Sequence, residues 1–74
     1  MNTVTITFKA HFYGEVPDVS YFTQTFTGTS KELRNHIKET AFHIINKGDF
    51  EDVTANVIYS DGEEVDFKNP LDIP

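Results

Sequence analysis

The chain has 74 residues, no cysteine and a formal net charge of −6. This length is typical of one small domain, and the missing cysteines exclude disulfide bridges, thiol catalysis and cysteine-based zinc sites. The acidic balance disfavours direct binding to nucleic acid or to an anionic membrane.

The charge is distributed unevenly along the chain. Residues 1–46 carry four acidic and four basic side chains, whereas residues 47–74 carry eight acidic side chains against Lys47 and Lys68. The net charge therefore lies entirely in the C-terminal part. An asymmetric field of this kind attracts basic protein surfaces.

Two strands are predicted at the start of the chain. Apolar and polar residues alternate from Thr3 to Phe12 and again from Tyr21 to Thr27. A period of two is typical of half-buried strands. Pro17-Asp18 suits the centre of a type I turn between them, so we expect an antiparallel hairpin.

A helix is predicted from about Ser30 to Lys47. Thr29 and Glu32 have the spacing of a capping box, in which each side chain accepts from the other's backbone amide. Apolar residues then recur at helical spacing (Leu33, Ile37, Ala41, Ile44, Ile45), and Gly48 follows where a left-handed C-terminal cap belongs.

A second hairpin is predicted after the helix. Alternation from Val53 to Tyr59 indicates a strand, Asp61-Gly62 is a strong hairpin signal, and Glu63 to Phe67 forms the returning strand. Asn69-Pro70 ends it, and the tail is expected to fray. The chain is thus predicted to be a single α+β domain over residues 1–74, with a short tail at residues 69–74.

The predicted element order is ββαββ. One helix packed on a four-stranded sheet buries the apolar faces of all five elements. The simplest arrangement is β-grasp-like, with the first and last strands parallel in the centre of the sheet.

The helix surface carries two candidate sites. Glu32, His36, Glu39 and His43 share one side at metal-ligand spacing, but a solvated helix face is the favoured explanation, because metal sites usually recruit ligands from a second element. Phe42 falls outside the buried sector, so it is an interface anchor, a residue packed under the loop around Asp49-Phe50, or an isolated apolar surface residue. No metal or other cofactor is expected from these patterns.

The acidic residues carry the leading functional hypothesis, which is protein binding. We expect the partner-binding residues to be three acids in the helix-to-strand loop, four acids on the last hairpin, and one apolar anchor (Asp49, Glu51, Asp52; Asp61, Glu63, Glu64, Asp66; Phe42). Such carboxylates could imitate nucleic-acid phosphates and block a basic DNA- or RNA-handling protein. Small, acidic, cysteine-free chains of this kind are common among phage-encoded inhibitors, and this association favours an inhibitor. Ordinary solubility charge is the competing explanation.

Two alternatives remain open from the sequence. The sheet face away from the helix is rich in threonine and carries Tyr21 and Ile58, so a neutral interaction module could use that face or an edge strand. The edge strand could also pair two copies into a homodimer. The second alternative is a metal-dependent role through His36 and His43.

Catalysis and export find no support in the sequence. There is no glycine-rich phosphate loop, no cysteine nucleophile and no serine-centred elbow, so we do not expect an enzyme. Residues 1–5 lack the basic and apolar regions of a signal peptide, so the expected location is cytoplasmic.

Overall fold

The computed structural model describes residues 2–14, 18–48 and 50–74. These residues form β1 (Asn2–Phe12), β2 (Val19–Gly28), α1 (Ser30–Asn46), β3 (Phe50–Tyr59), β4 (Glu64–Phe67) and a 3-10 helix (Pro70–Asp72). The predicted α+β fold, with one helix on a four-stranded sheet, is confirmed. No helix within these ranges combines the length and apolar character needed to cross a membrane.

The strand order differs from the β-grasp prediction. The order is β2-β1-β3-β4, and every neighbouring pair is antiparallel. The expected parallel pairing of the first and last strands is therefore wrong. α1 returns the chain along the sheet, so β3 runs antiparallel to β1. The long strands β1 and β3 take the centre because both carry buried apolar rows, whereas β4 has only the half-buried Val65 and Phe67.

The core lies between α1 and one face of the sheet. It contains alternate residues of the two central strands, the apolar side of the helix, and two residues that flank these elements (Val4, Ile6, Phe8, Ala10; Val53, Ala55, Val57; Leu33, Ile37, Ala41, Ile44; Phe50, Ile73). We call this side of the sheet the core face and the opposite, uncovered side the open face.

A β-bulge lengthens β3 beyond its predicted start. The register changes between His11 and Phe12, so that Asp52 pairs with His11 while Phe50 pairs with Phe12. Glu51 is the extra residue, and the bulge lets both Phe50 and Val53 reach the core. Glu51 and Asp52 therefore lie in a strand, and the prediction that placed them in a loop is wrong.

Both ends of α1 are capped as predicted. The Glu32 amide donates to Thr29 Oγ1 at 3.2 Å, and the Thr29 amide donates to Glu32 Oε1 at 2.9 Å. Gly48 has a φ of +86°, the left-handed conformation that favours glycine.

The two hairpins are described to different extents. In the first, the Phe12 amide donates to the Asp18 carbonyl at 3.3 Å, and Pro17 of the predicted turn lies outside the described residues. In the second, the predicted turn at Asp61-Gly62 is confirmed. The Tyr59 amide donates to the Glu63 carbonyl at 2.8 Å, and Gly62 has a φ of +93°.

The C-terminal tail packs against the domain, so the prediction that it frays is wrong. Pro70 is buried, and Ile73 is only 7% exposed within the core. The 3-10 helix contacts α1 and β3. Pro70 and Ile73 cover the end of the core that β4 is too short to reach.

Candidate protein-binding site

Two carboxylates are fixed side by side on the outermost strand, β4. Glu64 and Asp66 alternate with Val65 and Phe67, so their side chains lie on the open face. The Asn56 side-chain amide donates to Glu64 Oε1 at 2.8 Å and to Asp66 Oδ1 at 2.6 Å. One neutral amide therefore holds two negative charges together, which preorganises them for a cation.

The adjoining turn adds two more acids. Asp61 Oδ1 accepts from the Glu63 amide at 2.9 Å, so this carboxylate stabilises the turn. Glu63 is exposed, as are the other three acidic side chains of the β3–β4 connection and β4. We call Asp61, Glu63, Glu64 and Asp66 the acidic hairpin.

The remaining predicted acids do not join the acidic hairpin. Glu51 and Asp52 lie at the other end of β3, and Asp52 is about 13 Å along the strand from Asn56. His11 Nδ1 is 4.0 Å from Asp52 Oδ2, too far for a hydrogen bond. Asp49 lies outside the described residues.

Cations occupy the surface between the two acidic groups. Lys9 pairs in register with Thr54, midway between Asp52 and Asn56 on β3. Lys9 and Lys68 line the same shallow depression as Asp66. The described acids of the predicted binding set therefore form two separated groups, and the acidic hairpin is the larger.

Phe42 is exposed, as the anchor hypothesis requires, but it lies elsewhere. Its side chain is 54% exposed, and with Leu71 it lines an open groove of 560 Å³ beside α1. α1 packs on the core face, whereas Glu64 and Asp66 project from the open face. The structure therefore does not bring Phe42 together with the carboxylates.

The helix histidines are not arranged as a metal site. His36 stacks on Phe26 with ring centroids 4.6 Å apart, and its Nε2 hydrogen-bonds Gln24 Oε1. Glu32 is engaged in the helix cap, and its backbone hydrogen bond with Thr29 lowers the pKa of its carboxyl below 4.5. Among the residues with described positions, no group of three or more potential metal ligands occurs.

On the threonine face, the two expected anchors, Tyr21 and Ile58, lie apart. Threonines face one another across β1 and β2, with hydroxyl distances of 3.1 Å for Thr3–Thr27 and 3.4 Å for Thr7–Thr23. Tyr21 and Ile58 are both exposed, but β1 lies between their strands. Tyr21 is also level with Thr54 of β3, which is about 13 Å along that strand from Ile58. The hydroxyl pairs stabilise the sheet without a ligand.

The free backbone of β2 is a feature that sequence reasoning did not locate. The Phe12–Asp18 bond and the continuous register show that even-numbered residues of β2 bond to β1. The odd-numbered residues point their N–H and C=O groups away from the sheet (Val19, Tyr21, Thr23, Thr25, Thr27). We call this row the β2 edge. The absence of charge and proline from residues 19–28 was its sequence signal.

Comparisons with known proteins gave no match: no family model matches the chain, and no curated protein or solved structure is significantly similar to it. The surfaces of the domain itself therefore carry the evidence on its function.

Proposed function

We propose that the domain binds a basic surface of another protein through the acidic hairpin. The observation that carries this proposal is the pair Glu64 and Asp66, held by one amide of Asn56. A preorganised carboxylate pair accepts an arginine guanidinium with less loss of side-chain freedom than two mobile acids would.

The position of the acidic hairpin favours contact with a large partner. It includes the outermost strand, and all four of its acids are exposed. Asp61 and Glu63 extend the negative surface around the turn, which supports electrostatic attraction of a basic partner over several ångströms. An isolated metal ion would not need so broad a surface.

Mimicry of nucleic acid is the more specific form of this proposal. It would be confined to the acidic hairpin, because Lys9 and Lys68 separate it from Glu51 and Asp52. A partner that binds nucleic acid should then lose that binding when the domain is added. A basic partner without nucleic-acid affinity would support charge recognition without mimicry.

The test compares two charge reversals of equal size. Glu63→Lys/Glu64→Lys/Asp66→Lys changes the acidic hairpin, and Asp18→Lys/Glu39→Lys/Asp72→Lys changes exposed acids elsewhere by the same net charge. Binding to poly-L-arginine is measured by fluorescence anisotropy at several salt concentrations, with circular dichroism as the control for folding.

We expect the hairpin variant to lose at least about tenfold in affinity relative to the control variant, which corresponds to 1.4 kcal/mol. Wild-type affinity should also fall with added salt, because solvent-exposed charges are screened. Equal losses in the two variants would contradict the proposal, since net charge alone would then explain the binding. If the hairpin variant shows the expected loss, affinity capture from a nuclease-treated cell lysate with the same three proteins would identify the natural partner.

A further inference from the structure

The β2 edge is long, uncharged and open. Within the described residues, β2 pairs only with β1 and is an edge strand of the sheet. Its ten residues contain no charged side chain and no proline, the usual devices that prevent an edge from pairing with another strand. Five consecutive odd-numbered residues offer both backbone groups to a further strand.

Of the two sheet edges, the β2 edge is the one at which the charge distribution permits a second copy of the chain to pair. A protein of net charge −6 repels its own copies, so self-association requires a contact surface without acids. The β2 edge meets this requirement over its full length. At the opposite edge, two β4 strands would bring Glu64 and Asp66 of both copies together.

The outward row has five residues, so an antiparallel pairing centred on its middle residue uses all of them. Val19 and Tyr21 precede Thr23, and Thr25 and Thr27 follow it. A two-fold axis at Thr23 would pair Thr23 with Thr23 of the second copy and Tyr21 with its Thr25. All five residues would then be bonded in each copy, giving about ten backbone hydrogen bonds.

The side chains of β2 fit such a contact. Tyr21 is 65% exposed, and opposite a threonine it would form an aromatic–β-branched cross-strand pair. On the core face, Phe22 and Phe26 are only partly buried against the core. A neighbouring strand would cover their remaining exposed surface, which adds a hydrophobic contribution to the backbone pairing.

We propose that the protein forms a two-fold symmetric dimer in which two β2 edges pair antiparallel into one eight-stranded sheet. The β4 strands form the two ends of this sheet, where their short length and acidic side chains stop further growth. Both acidic hairpins remain accessible at those ends. The dimer is independent of the proposed function, although it would present two binding sites to a partner with repeated basic surfaces.

Sedimentation equilibrium from micromolar to millimolar concentration tests this proposal. We expect the mass to rise from 8.4 kDa to twice that value. Thr23→Lys places two like charges at the symmetry axis and should weaken dimerisation at least tenfold. Thr5→Lys is the matched control, because Thr5 is exposed on the same face but lies on the central strand β1.

A second variant distinguishes loss of pairing from loss of folding. Thr23→Pro removes an outward-pointing N–H that β1 does not use, so the monomer should fold while dimerisation is lost. A monomer throughout the concentration range would overturn the proposal. So would a dimer that Thr5→Lys dissociates and Thr23→Pro leaves intact, because the open face would then be the contact.

Discussion

The two edge strands of the sheet, β4 and β2, differ in how they expose unpaired backbone groups. β4 has four residues, and its outward backbone groups belong to Glu64 and Asp66, whose side chains repel another acidic chain. β2 has ten residues, and its outward groups belong to four polar or aromatic residues and Val19, none of them charged. The comparison indicates that β4 is protected against strand pairing, whereas β2 is suited to it.

The largest expected effect tests the assignment of inward and outward backbone groups on β2. Gln24→Pro removes an N–H that bonds to β1, so the free energy of unfolding should fall by about 2 kcal/mol or more. Chemical denaturation at a concentration that keeps the protein monomeric measures this loss. Thr23→Pro should cost clearly less, and Gln24→Ala isolates the loss of the contact with His36. If both proline variants lowered the free energy of unfolding equally, the assignment of even-numbered β2 residues as bonded to β1 would be wrong.

A smaller effect is expected at the β4 edge, where Asn56 holds two carboxylates. Asn56→Asp replaces the donor amide with a third acid and should destabilise the domain by about 1–2 kcal/mol. Thr54→Asp is the matched control on the same strand and face, beside Lys9. Urea denaturation with and without added salt measures both variants. If Asn56→Asp were as stable as Thr54→Asp, Asn56 would not organise the acidic pair.

The turn that joins β3 to β4 should contribute less. Asp61→Ala removes the acceptor of the Glu63 amide and should cost about 0.5–1 kcal/mol. Thermal unfolding compares it with Ser60→Ala, an exposed neighbour in the same turn. No difference between the two would mean that the acidic hairpin keeps its shape without this bond.

The smallest effect concerns the end of β2, where the helix cap follows directly. The pKa of Glu32 is lowered in the folded protein because its carboxylate accepts from Thr29, so the ionised form stabilises the fold. This contribution is present above pH 4.5, the ordinary value, and is lost as the pH falls through the lowered pKa. Glu32→Gln should therefore lower the melting temperature slightly at neutral pH, with the difference shrinking towards pH 3. A difference that does not change with pH would exclude the ionised cap as its cause.

Local patterns predicted the helix and both hairpins because those elements depend on neighbours in the chain. Thr29 and Glu32 form the predicted cap, and Gly62 forms the predicted turn. Strand order depends on contacts between distant residues, so the pairing of β1 with β3 was not accessible from periodicity. The bulge at Glu51 was missed because strict alternation cannot place both Phe50 and Val53 in the core.

Only part of the candidate site was predicted, because the rest depends on pairing between distant residues. Glu64 and Asp66 were placed on the open face by alternation, but their link to Asn56 requires the β3–β4 register. The β2 edge depends on which backbone groups face outward, and this follows from the register with β1. Ile73 was assigned to a fraying tail because a single apolar residue has no periodicity.

Residue-resolved amide hydrogen exchange, measured by NMR at millimolar concentration, compares the two edges most directly. We expect the amides of Tyr21, Thr23 and Thr25 to exchange slowly and those of Glu64 and Asp66 to exchange fast. Dilution to a monomeric concentration should make the β2 amides fast as well. Fast exchange at both edges at high concentration would contradict the account, because β2 would then be as unpaired as β4.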